Sequence, residues 1–307
     1  MGIENAIQDL LETKKALLLA HYYQPKAIQD IAHFVGDSLE LAQKATTTTT
    51  EIIVFAGVYF MAETAKILNP NKKILIPDAT AGCSLADGCN LVDFQKFKRK
   101  YPKHRVVSYV NTHAAIKAES DYVCTSSNAE KIIHAIPKSE QILFAPDKNL
   151  GQYLIEKTGR NMVLWQGSCV VHEAFSVEKI IAVVRKHPEA EIVAHPESES
   201  NVLKLAHFIG STSKMGQYIK TSSSKTFIVA TEVGILHQLQ QEIPQKNMIP
   251  APINEDNQCA CSECFYMKLN SLEKIYQCLI NEAPEIILDA ELSKKARKPL
   301  KKMLAMS

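Results

Sequence analysis

The chain has 307 residues, 46% of them hydrophobic and 22% charged, with a formal net charge of +2. That composition supports a sizeable core and excludes intrinsic disorder, while the near-balanced charge leaves no electrostatic footprint for nucleic acid. The longest apolar stretch, 52–62, is far too short to span a bilayer and contains Gly57.

In chain order, residues 1–15 read as an amphipathic helix with acidic residues. They lack the basic start and long apolar core of a signal peptide, so a cytoplasmic protein is expected. LLAHYYQPKAIQDIAHFVGDS (18–38) is a strand, a polar loop, a helix and a turn. Thr46 to Thr50, the single low-complexity run, is expected to be an exposed turn. Two β-rich runs follow, IIVFAGV (52–58) and KKILIPD (72–78), around a helical MAETAKIL (61–68). The same order returns in VVSYVNT (106–112), DYVCTSSNAEKIIHAI (121–136), QILFAPD (141–147) and NMVLWQG (161–167). It returns again after the helix VEKIIAVVRKH (177–187), in IVAHPE (192–197), TFIVATE (226–232) and NMIPAPI (247–253). From about 265 the chain reads as helical with a basic end, expected to be solvated or to meet an acidic neighbour. Short apolar strands alternating with amphipathic helices imply parallel sheets covered by helices.

The periodicity is an internal repeat. Residues 18–38 and 192–212 align without gaps over 21 pairs with six identities: Ala20/Ala194, His21/His195, Ala32/Ala206, His33/His207, Phe34/Phe208 and Gly36/Gly210. A weaker copy lies 88 residues beyond the first, pairing His21 with Tyr109, Tyr23 with Asn111 and Ser38 with Ser126. The expected fold is α/β: three similar αβα units with parallel sheets around a pseudo-threefold axis, with the active site at the centre. Boundaries fall at 1–88, 89–173 and 174–252, leaving 253–307 for a last loop and C-terminal helices.

Equivalent positions then face a common centre. At the end of each first strand stand His21 and Tyr23, Tyr109 and Asn111, and His195 and Glu197, with i and i+2 expected on one side of the strand. A single such residue is most simply a satisfied polar core group; six at three equivalent positions point to a site. Ser38, Ser126 and Thr212 form a second triplet, with Ser127 and Ser211 beside them. Any one hydroxyl there is explained as an N-cap, but three helix starts on one centre also suit an anionic ligand.

The eight cysteines repeat the pattern. Cys83 and Cys169 follow the last strands of units one and two, 86 residues apart, and Cys264 follows the last strand of unit three. Three thiolates from three loops fit a 4Fe–4S cluster with one iron lacking a cysteine. The alternative is a zinc site made by Cys259, Cys261 and Cys264 alone, in a non-catalytic anion-binding module. Cys89, Cys124 and Cys278 are expected to be ordinary buried residues.

AHYYQP (20–25), GDSLELA (36–42), VFAGVYFMAETAKILNPNKKILIPD (54–78), AGCSLADGC (81–89), YVNTHAAIKAESDYVCTSSNA (109–129), LWQGSCVVHE (164–173), VAHPE (193–197), GSTSKM (210–215), TEVG (231–234) and CSECFYMKLN (261–270) resemble the motifs of the quinolinate synthase family. The resemblance covers about residues 17 to 275. It implies an oxygen-sensitive 4Fe–4S cluster on Cys83, Cys169 and Cys264. It implies condensation of iminoaspartate with dihydroxyacetone phosphate to quinolinate, with loss of phosphate and two waters, in NAD biosynthesis. An L-aspartate-oxidising enzyme is the implied source of iminoaspartate; no nucleic acid or membrane is. By motif position, Ser38, Ser126, Ser211 and Thr212 hold phosphate and carboxylates, and His21, Tyr23, Tyr109, Asn111, His172, His195 and Glu197 line the pocket. Glu197 is the expected general base, with His and Tyr as partner acids. The chain departs from the family's CxxCxxC with CxCxxC at Cys259, Cys261 and Cys264, so no redox role for Cys261 and Cys264 is carried over.

Overall fold

A computed structural model describes residues 2–254 and 262–307. Twelve strands are found: β1 (Ala16–His21), β2 (Phe34–Gly36), β3 (Ile52–Ala56), β4 (Lys73–Leu75), β5 (His104–Tyr109), β6 (Tyr122–Cys124), β7 (Gln141–Ala145), β8 (Met162–Leu164), β9 (Glu191–Ala194), β10 (Phe208–Ile209), β11 (Thr226–Ala230) and β12 (Asn247–Pro250). They form three four-stranded parallel sheets with one order repeated: β2-β1-β3-β4, β6-β5-β7-β8 and β10-β9-β11-β12. The central strands are apolar along their length because helices cover both faces; Leu18, Leu19, Ile53, Val54, Leu143 and Ile228 are fully buried. Each such side chain contributes about 1.5–3 kcal/mol by leaving water.

The repeat is visible in hydrogen bonds. His33 Nδ1 accepts the Leu18 N–H at 3.0 Å, and His207 Nδ1 accepts the Ile192 N–H at 2.9 Å. In the middle unit Asp121 Oδ2 accepts the Val106 N–H at 2.8 Å. Asp121 lies 88 residues beyond His33, so the weak copy keeps the interaction while changing the residue. The reciprocal backbone bonds, His33 N–H to Leu18 O, Asp121 N–H to Val106 O and His207 N–H to Ile192 O, also recur, at 2.8–3.0 Å. Each fastens the start of the first strand to the second.

The helix Ser38–Thr47 takes in Thr46 and Thr47, and Thr48 to Thr50 follow it without regular structure rather than as the expected turn. Asp37 caps this helix and Glu40 closes the capping box, which fixes where the chain re-enters helical structure. The N-terminal helix Ile3–Thr13 packs on Leu272–Asn281. The last helix, Ala290–Ala305, lies across Tyr59–Leu68 from the first sheet's surroundings and Ala114–Ala118 and β6 from the second's. Its basic side chains are partly engaged: Arg297 donates to the Ile67 carbonyl at 2.7 Å, and the Lys302 ammonium sits 3.4 Å from the centre of the Tyr122 ring. Among the described residues no helix is long and apolar enough to cross a membrane.

Candidate active site

The carboxyl ends of the three sheets open onto one cavity of about 720 Å³, the usual ligand position for parallel sheets. His21, Tyr23, Ser38, Cys83, Tyr109, Asn111, Ser126, Cys169, His172, His195, Glu197, Thr212 and Cys264 all line it. Ser211 stands one layer behind, where it caps the helix Thr212–Thr221 and shares a 2.7 Å hydrogen bond with Ser127. Cys259 and Cys261 lie outside the described residues.

Strand alternation is not what aims the six polar residues. β1 ends at His21, β5 at Tyr109 and β9 at Ala194, so Tyr23, Asn111 and Glu197 lie in the turns beyond. There the histidine two residues earlier sets the turn: His21 Nδ1 accepts the Tyr23 N–H at 3.2 Å, and His195 Nδ1 accepts the Glu197 N–H at 3.4 Å. Burial pushes the His21 imidazole down to about 4, against the opposing pull of Asp37 and Glu197, and burial pushes His195 down to about 3. In both rings Nδ1 is the acceptor of this backbone bond.

The hydroxyl triplet is likewise not a set of caps. Asp37 and Ser211 cap the helices that begin with Ser38 and Thr212, and Ser126 precedes the helix Ala129–Ala135 by three residues. All three residues of the triplet line the cavity, with Ser126 Oγ 3.2 Å from His195 Nε2 and Thr212 Oγ1 3.2 Å from the Tyr23 hydroxyl. Behind them Asp37 ties the units together, accepting from Ser127 at 3.0 Å and from Ser213 at 2.6 Å.

Glu197 is the electrostatic focus. Its Oε1 accepts from the Tyr109 hydroxyl at 2.5 Å, and its Oε2 lies 3.0 Å from His172 Nδ1. Burial disfavours the charge, but His195 and His172, with the hydrogen bonds from His172 and Tyr109, outweigh it and hold the carboxyl below its ordinary range. On its other side His172 Nε2 is 3.0 Å from Thr231 Oγ1, which is 2.7 Å from the Tyr23 hydroxyl. Tyr23 also meets Thr212 Oγ1 at 3.2 Å. The result is a continuous line, Glu197–His172–Thr231–Tyr23, built from all three sheets. It places a carboxylate, an imidazole and a hydroxyl in succession. Sequence motifs alone assign no role to Thr231 or its neighbour Glu232. The signal for the pair is that QILFAPD and TFIVATE both end in an acidic residue, Asp147 and Glu232, and both are fully buried.

Cys83, Cys169 and Cys264 reach the same cavity and are free thiols. Burial, reinforced by Cys264, raises the Cys83 thiol to about 12; burial also raises Cys169 and Cys264. Three soft donors with no disulfide among the described residues suit a metal centre, whose charge favours thiolate. Cys169, His172 and Glu197 form a second potential donor set, with ligand atoms all within 4.8 Å of one another. The two sets share Cys169. By contrast Cys89, Cys124 and Cys278 are buried away from the cavity, with thiols raised by burial.

Residues 5–305 match the family described as Quinolinate synthetase A protein. A relative from Microcystis aeruginosa, named Quinolinate synthase, is 57% identical over 302 residues, covering 98% of this chain and 94% of its own. Relatives of the same name from a Nostoc species and from Thermosynechococcus vestitus are 56% and 54% identical, each over 98% of this chain and 93% and 94% of theirs. With identity this high along almost the whole length of both partners, and three repeated sheets converging on one cavity, the chain belongs to the quinolinate synthetase A family of enzymes.

Proposed function

We propose that the chain condenses iminoaspartate with dihydroxyacetone phosphate to quinolinate, releasing phosphate and two waters, for NAD biosynthesis. The observation that carries this is one thiol from each of three loops at the cavity that also holds the Glu197–His172–Thr231–Tyr23 line. Cys83, Cys169 and Cys264 would hold a 4Fe–4S cluster. Held by three cysteines, such a cluster would leave one iron without a protein ligand and would supply Lewis acidity toward a substrate oxygen or nitrogen.

The chain's own groups account for binding and proton movement. Ser38, Ser126 and Thr212, with Asn111, are hydrogen-bond donors for carboxylate and phosphate oxygens. With Glu197 ionised and accepting from His172 Nδ1–H, His172 Nε2 accepts the Thr231 proton. Thr231 Oγ1 in turn accepts from Tyr23. The Tyr23 oxygen, at the open end, then takes a proton from substrate as its own moves inward, and returns it when an oxygen departs as water. The buried walls exclude bulk water from a reactive imine. Unpaired thiols at all six described cysteines suit a reducing cytoplasm. An enzyme that oxidises L-aspartate would supply the iminoaspartate.

Anaerobic purification tests this: about four irons per chain, with quinolinate formed from the two substrates, supports the proposal. A colourless protein with one zinc would favour the Cys169, His172 and Glu197 set or the Cys259, Cys261 and Cys264 set instead.

Two substitutions probe the parts. Thr212→Val removes one hydroxyl from the binding triplet while keeping shape. Product affinity should weaken by about 1.5–3 kcal/mol, the worth of one hydrogen bond to a charged ligand, with iron content unchanged; titration with quinolinate measures it. Thr231→Val cuts the line between His172 and Tyr23. Turnover should fall roughly 10²-fold while product affinity, also read by titration, stays near the parent's.

A further inference from the structure

The third thiol lacks the support of the other two. Cys83 and Cys169 each head a four-residue helix, Ser84–Asp87 and Val170–Glu173, and Asp87 returns a carboxylate oxygen to the Cys83 N–H at 3.2 Å. Cys264 heads no such helix; the chain beyond it forms only a short 3-10 turn, Met267–Leu269. Its backbone is held instead by Glu232, whose Oε1 accepts the Cys264 N–H at 3.1 Å and whose Oε2 accepts the Gly234 N–H at 2.7 Å. Glu232 is completely buried. Its charge is met by Lys268, whose ammonium lies 2.8 Å from the same Oε1 and donates to the Tyr23 carbonyl at 2.7 Å.

We propose that Glu232 and Lys268 are positioning residues, a clamp that fixes the ligand Cys264 and the proton-carrying Tyr23 relative to each other. The inference rests on the function proposed above. A buried ion pair kept only for stability is often replaceable by apolar side chains at no loss. This pair does something an apolar pair cannot. One end grips the amide of a ligand from the last segment, and the other grips the carbonyl of a residue in the first unit's turn. Glu232 also adjoins Thr231, so the third member of the line is set from the same place. The fit around it is close: a Cβ on Gly234 would stand 2.9 Å from both the Tyr22 carbonyl oxygen and Tyr23 Cα.

The experiment compares the parent, Lys268→Met, Lys268→Arg, Glu232→Gln and the surface control Lys96→Met after anaerobic reconstitution. Among the described residues, Lys96 makes its ion pair with the exposed Asp93. Iron per chain, the rate at which an excess of iron chelator bleaches the cluster, the thermal midpoint, kcat and KM are read for each. Lys268→Met should fill with iron yet release it roughly tenfold faster or more, the usual cost of losing an outer support of a metal ligand. Its kcat should fall further than its KM changes, and Lys268→Arg should restore both. If Lys268→Met fails to fold, Glu232→Gln should show the faster release. Parent-like release and kcat in both Lys268→Met and Glu232→Gln would overturn the clamp alone. So would a loss that merely tracks the thermal midpoint and is not rescued by arginine. A parent chain that takes up no 4Fe–4S cluster would overturn the functional proposal, and the clamp with it.

Discussion

Cys169→Ala should yield a folded, colourless protein that forms no quinolinate, and Cys83→Ala and Cys264→Ala should do the same. Among the described residues, one thiol from each of three loops reaches the cavity, so loss of any one leaves two of the three proposed cysteine ligands. The fold should survive, because the three cysteines are only partly buried and sit at loop ends rather than in the sheets. Cys89→Ala, Cys124→Ala and Cys278→Ala, which alter fully buried residues away from the cavity, should keep both iron and turnover. Iron and sulfide analysis with an activity assay, all without oxygen, separates the two groups. A Cys83→Ala protein that retained its iron would end the three-loop assignment.

Glu197→Gln should lower turnover by roughly 10²–10⁴-fold, the range of a positioned acid or base, while leaving iron content and quinolinate affinity near the parent's. The carboxylate accepts two hydrogen bonds, from Tyr109 and from the His172 side. Glutamine has one acceptor and one donor, so its NH₂ must face either the Tyr109 hydroxyl or His172 Nδ1. Facing His172, it makes Nδ1 an acceptor and moves the ring proton to Nε2, where it can no longer accept from Thr231. The line is then reversed rather than merely weakened, as when the orienting carboxylate of a triad is replaced by its amide. Single-turnover assays should show a condensed intermediate accumulating before the ring closes. A rate within a few-fold of the parent would make Glu197 a structural residue and remove it from the proposed proton path.

The fold was legible because parallel strands buried on both faces must be apolar throughout, and three such sets recur at near-constant spacing. The middle copy shows what identity alone would miss: Asp121 does the work of His33 and His207 with different chemistry. The cavity residues were legible for the same reason, since repeated units bring repeated positions to one axis. Their aim was not. Tyr23, Asn111 and Glu197 lie in turns beyond the strands, and the turns at Tyr23 and Glu197 rest on histidine acceptors that strand periodicity does not encode. Thr231 was hidden further still. Its partners are Tyr23, 208 residues away, and His172, 59 residues away, so nothing local marks it as part of the hydrogen-bonded line.

The order of these parts along the chain has a consequence for biosynthesis. Domains emerging from the ribosome fold largely as they appear, and the first two sheets can close before the third is made. On the proposed ligand assignment, however, Cys264 comes after all twelve strands, and the helix Ala290–Ala305 that braces the first two sheets comes later again. Asn128, beside the binding hydroxyls, finds one of its partners only in Ser307, at 2.8 Å. On that assignment a metal centre would be completed only after all three sheets have been made, and iron and sulfide would be delivered after the early units have folded rather than serve as a template for them.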